Sequence, residues 1–219
     1  NMEDNKHTND RRNFLKASGI LGAGLLIPQV NFASSGTFPV NDNVNVFGKR
    51  EGYSDQISIL ISMMDWMRGV ILRDANGLSQ KELDFLLDKR SNSIGAMLMH
   101  FAATERFYQL DTFTGVAKSK LNFGVEEEMW EAASNLGDAG RKAFKGKPLS
   151  FYIDKLGEVR EFSKSELKNR EDSWLMESTI FWGNRPTNNY CKWFHVCEHE
   201  SNHNGQIKWL KSRLPSNKE

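Results

Sequence analysis

The chain has 219 residues, 39% hydrophobic and 26% charged, enough apolar material for one sizeable core and no need for a second domain. Its 29 basic residues offset 28 acidic ones, for a formal charge of +1. That balance leaves no basic surplus to hold a nucleic-acid backbone and no acidic tail.

In chain order, the first feature is Arg11-Arg12 followed by Phe14, Leu15 and Lys16, then a weakly apolar, glycine-containing run ending near Pro28 and the small residues Ala33 to Gly36. This resembles a twin-arginine export signal. The apolar run is too short and too weak for a permanent span, so stable membrane insertion is not expected. The resemblance implies a removable leader over 1–35, a polar linker over 36–50, a folded domain over 51–216 and an exported, periplasmic protein.

The remainder reads as helices. Residues 54–72 carry Ile57, Leu60, Met64, Met67 and Leu72 at helical spacing, with Ser54 placed as a cap. Ser79 and Glu82 have the spacing of a capping box and predict a short helix. Residues 91–110 set Ile94, Met97, Leu98, Phe101 and Ala102 on one apolar face that also carries His100. One or two short helices, broken at Gly137 and Gly140, follow; a third long one spans 148–170; the last runs from Pro186, at a favourable first-turn position, to about Leu214. No segment alternates with a two-residue period for long, so strand content is expected to be minimal. The pattern predicts an all-α fold: an antiparallel four-helix bundle with short extra helices in the crossover between the second and third long helices.

Histidine usage points to function. The chain holds five, His7 in the leader, His100, and His195, His199 and His203 in the stretch "HVCEHESNHNGQ". Residues four apart on a helix differ by about 40° in direction and about 6 Å in rise, so His199 and His203 reach one ion from adjacent turns. One helix does not close a coordination sphere, and His100 is the only other histidine on a predicted core face, so His100, His199 and His203 are the candidate metal ligands. Glu105, about 140° round from His100, is either a support for the ligands or structural. Glu198 and Glu200 are expected on a solvated or pairing face. Cys191 and Cys197, six residues apart on one helix, lie about 9 Å apart along its axis and point in different directions. A disulfide between them is excluded, and both are expected to be buried small hydrophobes, with Cys197 facing away from the histidines. Trp66, Trp130, Trp174 and Trp193 read as core or interface. Trp182 and Arg185 belong either to a helix-entry loop with an aromatic anchor or to one mouth of the site.

The stretches "NSIGAMLMHFAATERFY" and "HVCEHESNHNGQIKWL" resemble the second and last helices of the DinB/YfiT-like superfamily of four-helix metal-binding proteins. The likeness covers about residues 51–215. It implies the triad His100, His199 and His203, with His195 at a position that is often histidine but supports the ligands rather than joining them. One branch carries glutamate where this chain has His199. The superfamily includes S-transferases and isomerases that use low-molecular-weight thiols. The expected function is therefore an exported metalloenzyme that activates a small thiol for S-transfer; the alternatives are a hydrolase using metal-bound water and a non-catalytic metal- or ligand-binding module. Three imidazoles suit zinc first, with nickel or iron as alternatives. The expected partners are a small-molecule substrate and a second copy of the chain, the latter from the methionine-rich first helix with Met63, Met64 and Met67.

Overall fold

The computed structural model describes residues 45–215. The twin-arginine-like leader and most of the linker lie outside the described residues. Four long helices form the body: α1 (Asp55–Ala75), α3 (Ile94–Thr112), α6 (Leu149–Leu167) and α8 (Asn189–Lys211). A short helix, α2 (Gln80–Leu83), sits in the first connection; α4 (Glu127–Asn135) and α5 (Gly137–Ala143) fill the crossover; α7 (Asp172–Leu175) follows α6. The all-α four-helix expectation holds.

Side-chain pairings fix the helix directions. Arg68 meets Glu200 while Asp74 meets Asn204, so α1 and α8 run parallel. Glu105 meets Arg160 and Gln109 meets Ser163, so α3 and α6 also run parallel. His100 meets His199 while Thr112 meets Trp193, which sets these pairs antiparallel to each other. The long crossover is a consequence, because parallel neighbours cannot be joined by a tight turn.

Local chemistry sets the helix starts. Ser79 and Glu82 form the expected capping box. Ser54 occupies the cap position of α1, but its side chain does not cap; Asp172 of α7 instead accepts from the backbone N–H groups of Gln56 and Ile57, at 2.9 and 3.2 Å. α8 begins at Asn189 rather than near Pro186, because the Asn188 side chain accepts from the Cys191 N–H at 2.9 Å and nucleates the helix there. Pro186 belongs to a small hairpin in which β1 (Ser178–Phe181) pairs antiparallel with β2 (Arg185–Asn188). Its tip turns through Gly183 and Asn184, both at positive φ, a turn signal between two short extended runs. The break between α4 and α5 falls at Leu136 and Gly137, whereas Gly140 is buried inside α5.

The core is divided. One apolar cluster gathers Ile71, Ile94, Trp130, Phe144, Tyr152 and Ile207; the other gathers Ile57, Leu60, Phe113, Trp174, Trp193 and Val196. Between them, on each long helix, lies one fully buried charge: Arg68, Glu105, Arg160 and Glu200. Trp130, Trp174 and Trp193 are core residues as expected, and Trp66 is partly exposed. Trp66 borders a surface groove between α1 and α8, where its indole N–H donates to Asn45 and its ring meets Phe47 edge-on, so residues 45–50 lie along α1.

Candidate metal centre

Three imidazoles from two antiparallel helices converge. One nitrogen from each of His100, His199 and His203 lies within 4.8 Å of the other two. The ring centroids are 4.7 Å apart for His100 and His199, 5.0 Å for His100 and His203, and 4.6 Å for His199 and His203. The four-residue repeat on α8 supplies two rings on adjacent turns, and α3 faces them with the third. Phe101 stands edge-on to His199 at 6.5 Å and forms an apolar back wall.

The hydrogen bonds behind the rings decide which nitrogens face inward. His100 Nδ1 donates to the Ala133 carbonyl at 2.7 Å, a group that can only accept, so in the neutral ring the lone pair sits on Nε2. His100 Nε2 is 3.1 Å from His199 Nε2. His203 Nδ1 lies 3.1 Å from Gln206 Oε1; donation to that oxygen leaves its Nε2 lone pair for the centre. His199 Nδ1 is buried with no hydrogen-bond partner among the described residues. Burial pushes His100 down to about 4, with the neighbouring His203 adding to the shift, although the Ala133 bond works against it. Burial also pushes His199 down to about 3, helped by the other three imidazoles. Both rings are neutral at pH 7, the state in which imidazole binds metals. Two opposed Nε2 atoms, one with its lone pair already fixed, are the donor arrangement a divalent ion fits.

His195 stands one turn further along α8, its ring 5.3 Å from His199. Its Nδ1 shares a 2.8 Å hydrogen bond with the Tyr108 hydroxyl, and its Nε2 is 3.6 Å from Glu198. Burial lowers its basicity, against the pull of Glu198, and burial raises that of Tyr108, which stays a phenol. Beside the triad opens a cavity of about 330 Å3, lined by His100, His195, His199, Tyr108, Phe107 and Trp182 among others. Trp182 therefore takes the mouth position rather than a purely structural one, whereas Arg185 lies exposed in β2 and does not line the cavity.

Glu105 turns away from this centre. Its carboxylate binds Arg68, Arg160 and Ser163, and Glu200 is buried in the same network, so of the two expected faces it takes the pairing one. Glu198 is exposed. Cys197 is buried on a side of α8 away from the histidines, as its position between His195 and His199 implies; burial pushes its thiol up to about 12, which makes it a poor nucleophile. Cys191 departs from expectation: it is exposed, because it shares the outward face of α8 with Phe194 and Glu198, while its neighbours Asn189, Lys192 and Trp193 are buried.

A family model described as mycothiol-S-transferase matches residues 59–214. The chain belongs to that family. It is a DinB/YfiT-like family, which agrees with the resemblance carried by α3 and α8. No curated protein matches the chain. The family points to a metal-dependent, thiol S-transferase-like function, and the histidine cluster is a set of residues that can bind the ion. The last-helix signature also contains Gln206, whose contact with His203 gives that residue a physical role. Tyr108 and Ala133 carry no signal of their own in the sequence. Tyr108 lies two turns beyond His100, and His195 two turns before His203, so the antiparallel pairing of α3 and α8 brings them together.

Proposed function

We propose that the chain is a metal-dependent S-transferase that activates a low-molecular-weight thiol, of the kind its family is named for, toward an electrophile. The observation that carries this reading is the convergence of His100, His199 and His203 at the wall of a cavity, within a chain of this family. These three residues would hold the ion, zinc by ligand preference, with nickel or iron also suited to imidazole. When bound, a divalent ion supplies Lewis acidity that favours the thiolate form of a small thiol.

The chain's own residues do the rest. Ala133 and Gln206 hold His100 and His203 with their Nε2 atoms toward the centre. Tyr108 fixes the plane of His195 at the cavity wall. Phe101 closes the apolar back of the centre, and Trp182 and Phe107 screen the cavity from bulk water. In the transfer, the thiol sulfur bonds to the electrophilic carbon, the leaving group departs with its bonding pair, and the thiol proton passes to solvent.

The test uses the full chain purified without chelator. About one equivalent of divalent metal, with turnover of electrophiles only when a thiol is added, is expected. Turnover without thiol would replace the reading with a hydrolase, and bound metal with neither activity would replace it with a binding module.

Two further readings belong here. Export to the periplasm rests on the Arg11-Arg12 stretch, and retention in the cytoplasm of a tagged chain would remove it. Pairing of two copies rests on Met63 and Met67, which with Trp66 line an apolar groove between α1 and α8, whereas Met64 is buried in the core. Sedimentation showing a monomer at micromolar concentration would refute it.

A further inference from the structure

The cavity beside the triad has a lining of an unusual kind for an opening onto solvent. Among the described residues, no carboxylate, ammonium or guanidinium group contributes to it. Its apolar surface comes from Ala103, Phe107, Tyr108 and Trp182, and its polar groups are hydroxyls and imidazoles. Two of the aromatic rings are largely exposed, Phe107 at 46% and Trp182 at 58%, so neither is explained by core packing.

Their placement is fixed. Phe107 sits on α3 and packs edge-on against Tyr108 at 5.2 Å, the residue whose hydroxyl meets His195. Trp182 sits at the hairpin tip, where the positive φ values of Gly183 and Asn184 permit the tight return of the chain. It stacks on Phe181 with centroids 4.3 Å apart and meets the His195 ring edge-on at 5.2 Å. The hairpin thus carries an indole to the same cavity wall that bears the histidines. Rings held at defined angles favour other flat rings, in offset or edge-on contact, over saturated groups of equal size.

We propose that this cavity binds the acceptor substrate, that the acceptor is a planar aromatic or conjugated electrophile, and that Trp182 and Phe107 grip its ring. The inference deepens the S-transferase reading and rests on it for the word acceptor. At about 330 Å3 the cavity suits one substituted ring, since an apolar cavity of about 150 Å3 already accepts benzene. The thiol's remaining bulk then lies outside, toward solvent. Trp182 and Phe107 are specificity-determining residues in this scheme; they are not part of the metal triad.

The test is direct binding, without thiol and without turnover, so that it stands apart from catalysis. The full chain, with its metal content measured, is titrated with nitrobenzene and with nitrocyclohexane, which share a nitro group and differ in planarity, by ligand-observed NMR. Nitrobenzene is expected to bind about tenfold tighter. Trp182→Ala and Phe107→Ala are each expected to weaken nitrobenzene by about three- to tenfold while leaving nitrocyclohexane within about twofold. Both residues are about half exposed, so the variants are expected to fold, which circular dichroism checks. Trp66→Ala, in the separate groove between α1 and α8, is expected to leave both ligands unchanged. Equal binding of the two ligands, or nitrobenzene binding untouched by both cavity substitutions, would overturn the proposal. If the chain transfers no thiol yet shows this ring-dependent binding, the S-transferase reading fails and the aromatic site stands; if it transfers thiol with no such preference, the reverse holds.

Discussion

Arg68 and Glu200 are joined in the middle of the bundle: Arg68 Nη2 lies 2.6 Å from Glu200 Oε1, and both side chains are all but inaccessible to solvent. Arg160 reaches the same carboxylate oxygen at 3.2 Å, and both arginines also hold Glu105. Each guanidinium adds a backbone carbonyl, Leu156 for Arg68 and Met64 for Arg160. The two arginines come from α1 and α6, and the two glutamates from α3 and α8, the helices that carry the histidines. Four buried charges that cancel in pairs thus cross-link all four helices between the two apolar clusters.

Removing one member leaves its partners charged and buried. Arg68→Ala is expected to destabilise the fold by about 3–5 kcal/mol, read from urea denaturation. Replacing Arg68, Glu105, Arg160 and Glu200 together by apolar residues of similar volume is expected to cost far less, because no unpaired charge then remains. A single Arg68→Ala loss below about 1 kcal/mol would show that the network is not load-sharing.

The same network predicts an acid dependence. Burial alone would raise the Glu105 carboxyl, but Arg160 and Arg68 outweigh it and hold the group below the usual carboxylate range. A depressed folded-state value contributes stability that is full above the unfolded value of 4.5 and is lost as the pH falls through the folded one. The stability gap between the natural chain and Glu105→Gln is therefore expected to be largest near neutrality and to shrink below about pH 4.5, measured by denaturation across pH.

Metal retention should follow the inward-facing nitrogens. Alanine at His100, His199 or His203 is expected to remove bound metal at stoichiometric concentrations, by elemental analysis of chain that remains folded. Alanine at His195 is expected to weaken affinity only about 10- to 100-fold. Loss at His195 equal to loss at His203 would enlarge the ligand set to four.

Gln206 gives a finer test. Its Oε1 fixes His203 by accepting at Nδ1, so Gln206→Leu is expected to weaken metal affinity by about 10- to 100-fold without changing stability. Unchanged affinity in a competition titration would show that the His203 ring is held by packing alone.

Gly95 makes one position intolerant of a side chain. A Cβ there would run into the Tyr152 hydroxyl, which is buried and donates to the Phe144 carbonyl at 2.7 Å. Gly95→Ala is expected to destabilise by about 1–3 kcal/mol by thermal or chemical denaturation.

Much of this protein is determined by its sequence alone. The four long helices follow from apolar periodicity, the capping box at Ser79 and Glu82 from a local pair, and the three triad histidines from their scarcity and their four-residue repeat. These features are local, or repeat with the helix's own period, so distance along the chain encodes them. The tertiary structure decided what depends on pairing between helices. Glu200 is flanked by polar residues and reads in sequence as a solvated or pairing position; it is paired and buried because Arg68 and Arg160 arrive from α1 and α6 to neutralise it. Asp172 caps α1 from more than a hundred residues away, and Tyr108 meets His195 only because α3 and α8 run antiparallel. Trp182 reaches the cavity through a hairpin where a helical start at Pro186 was the local expectation; two four-residue strands gain stability from each other, and neither has a period long enough to declare itself alone.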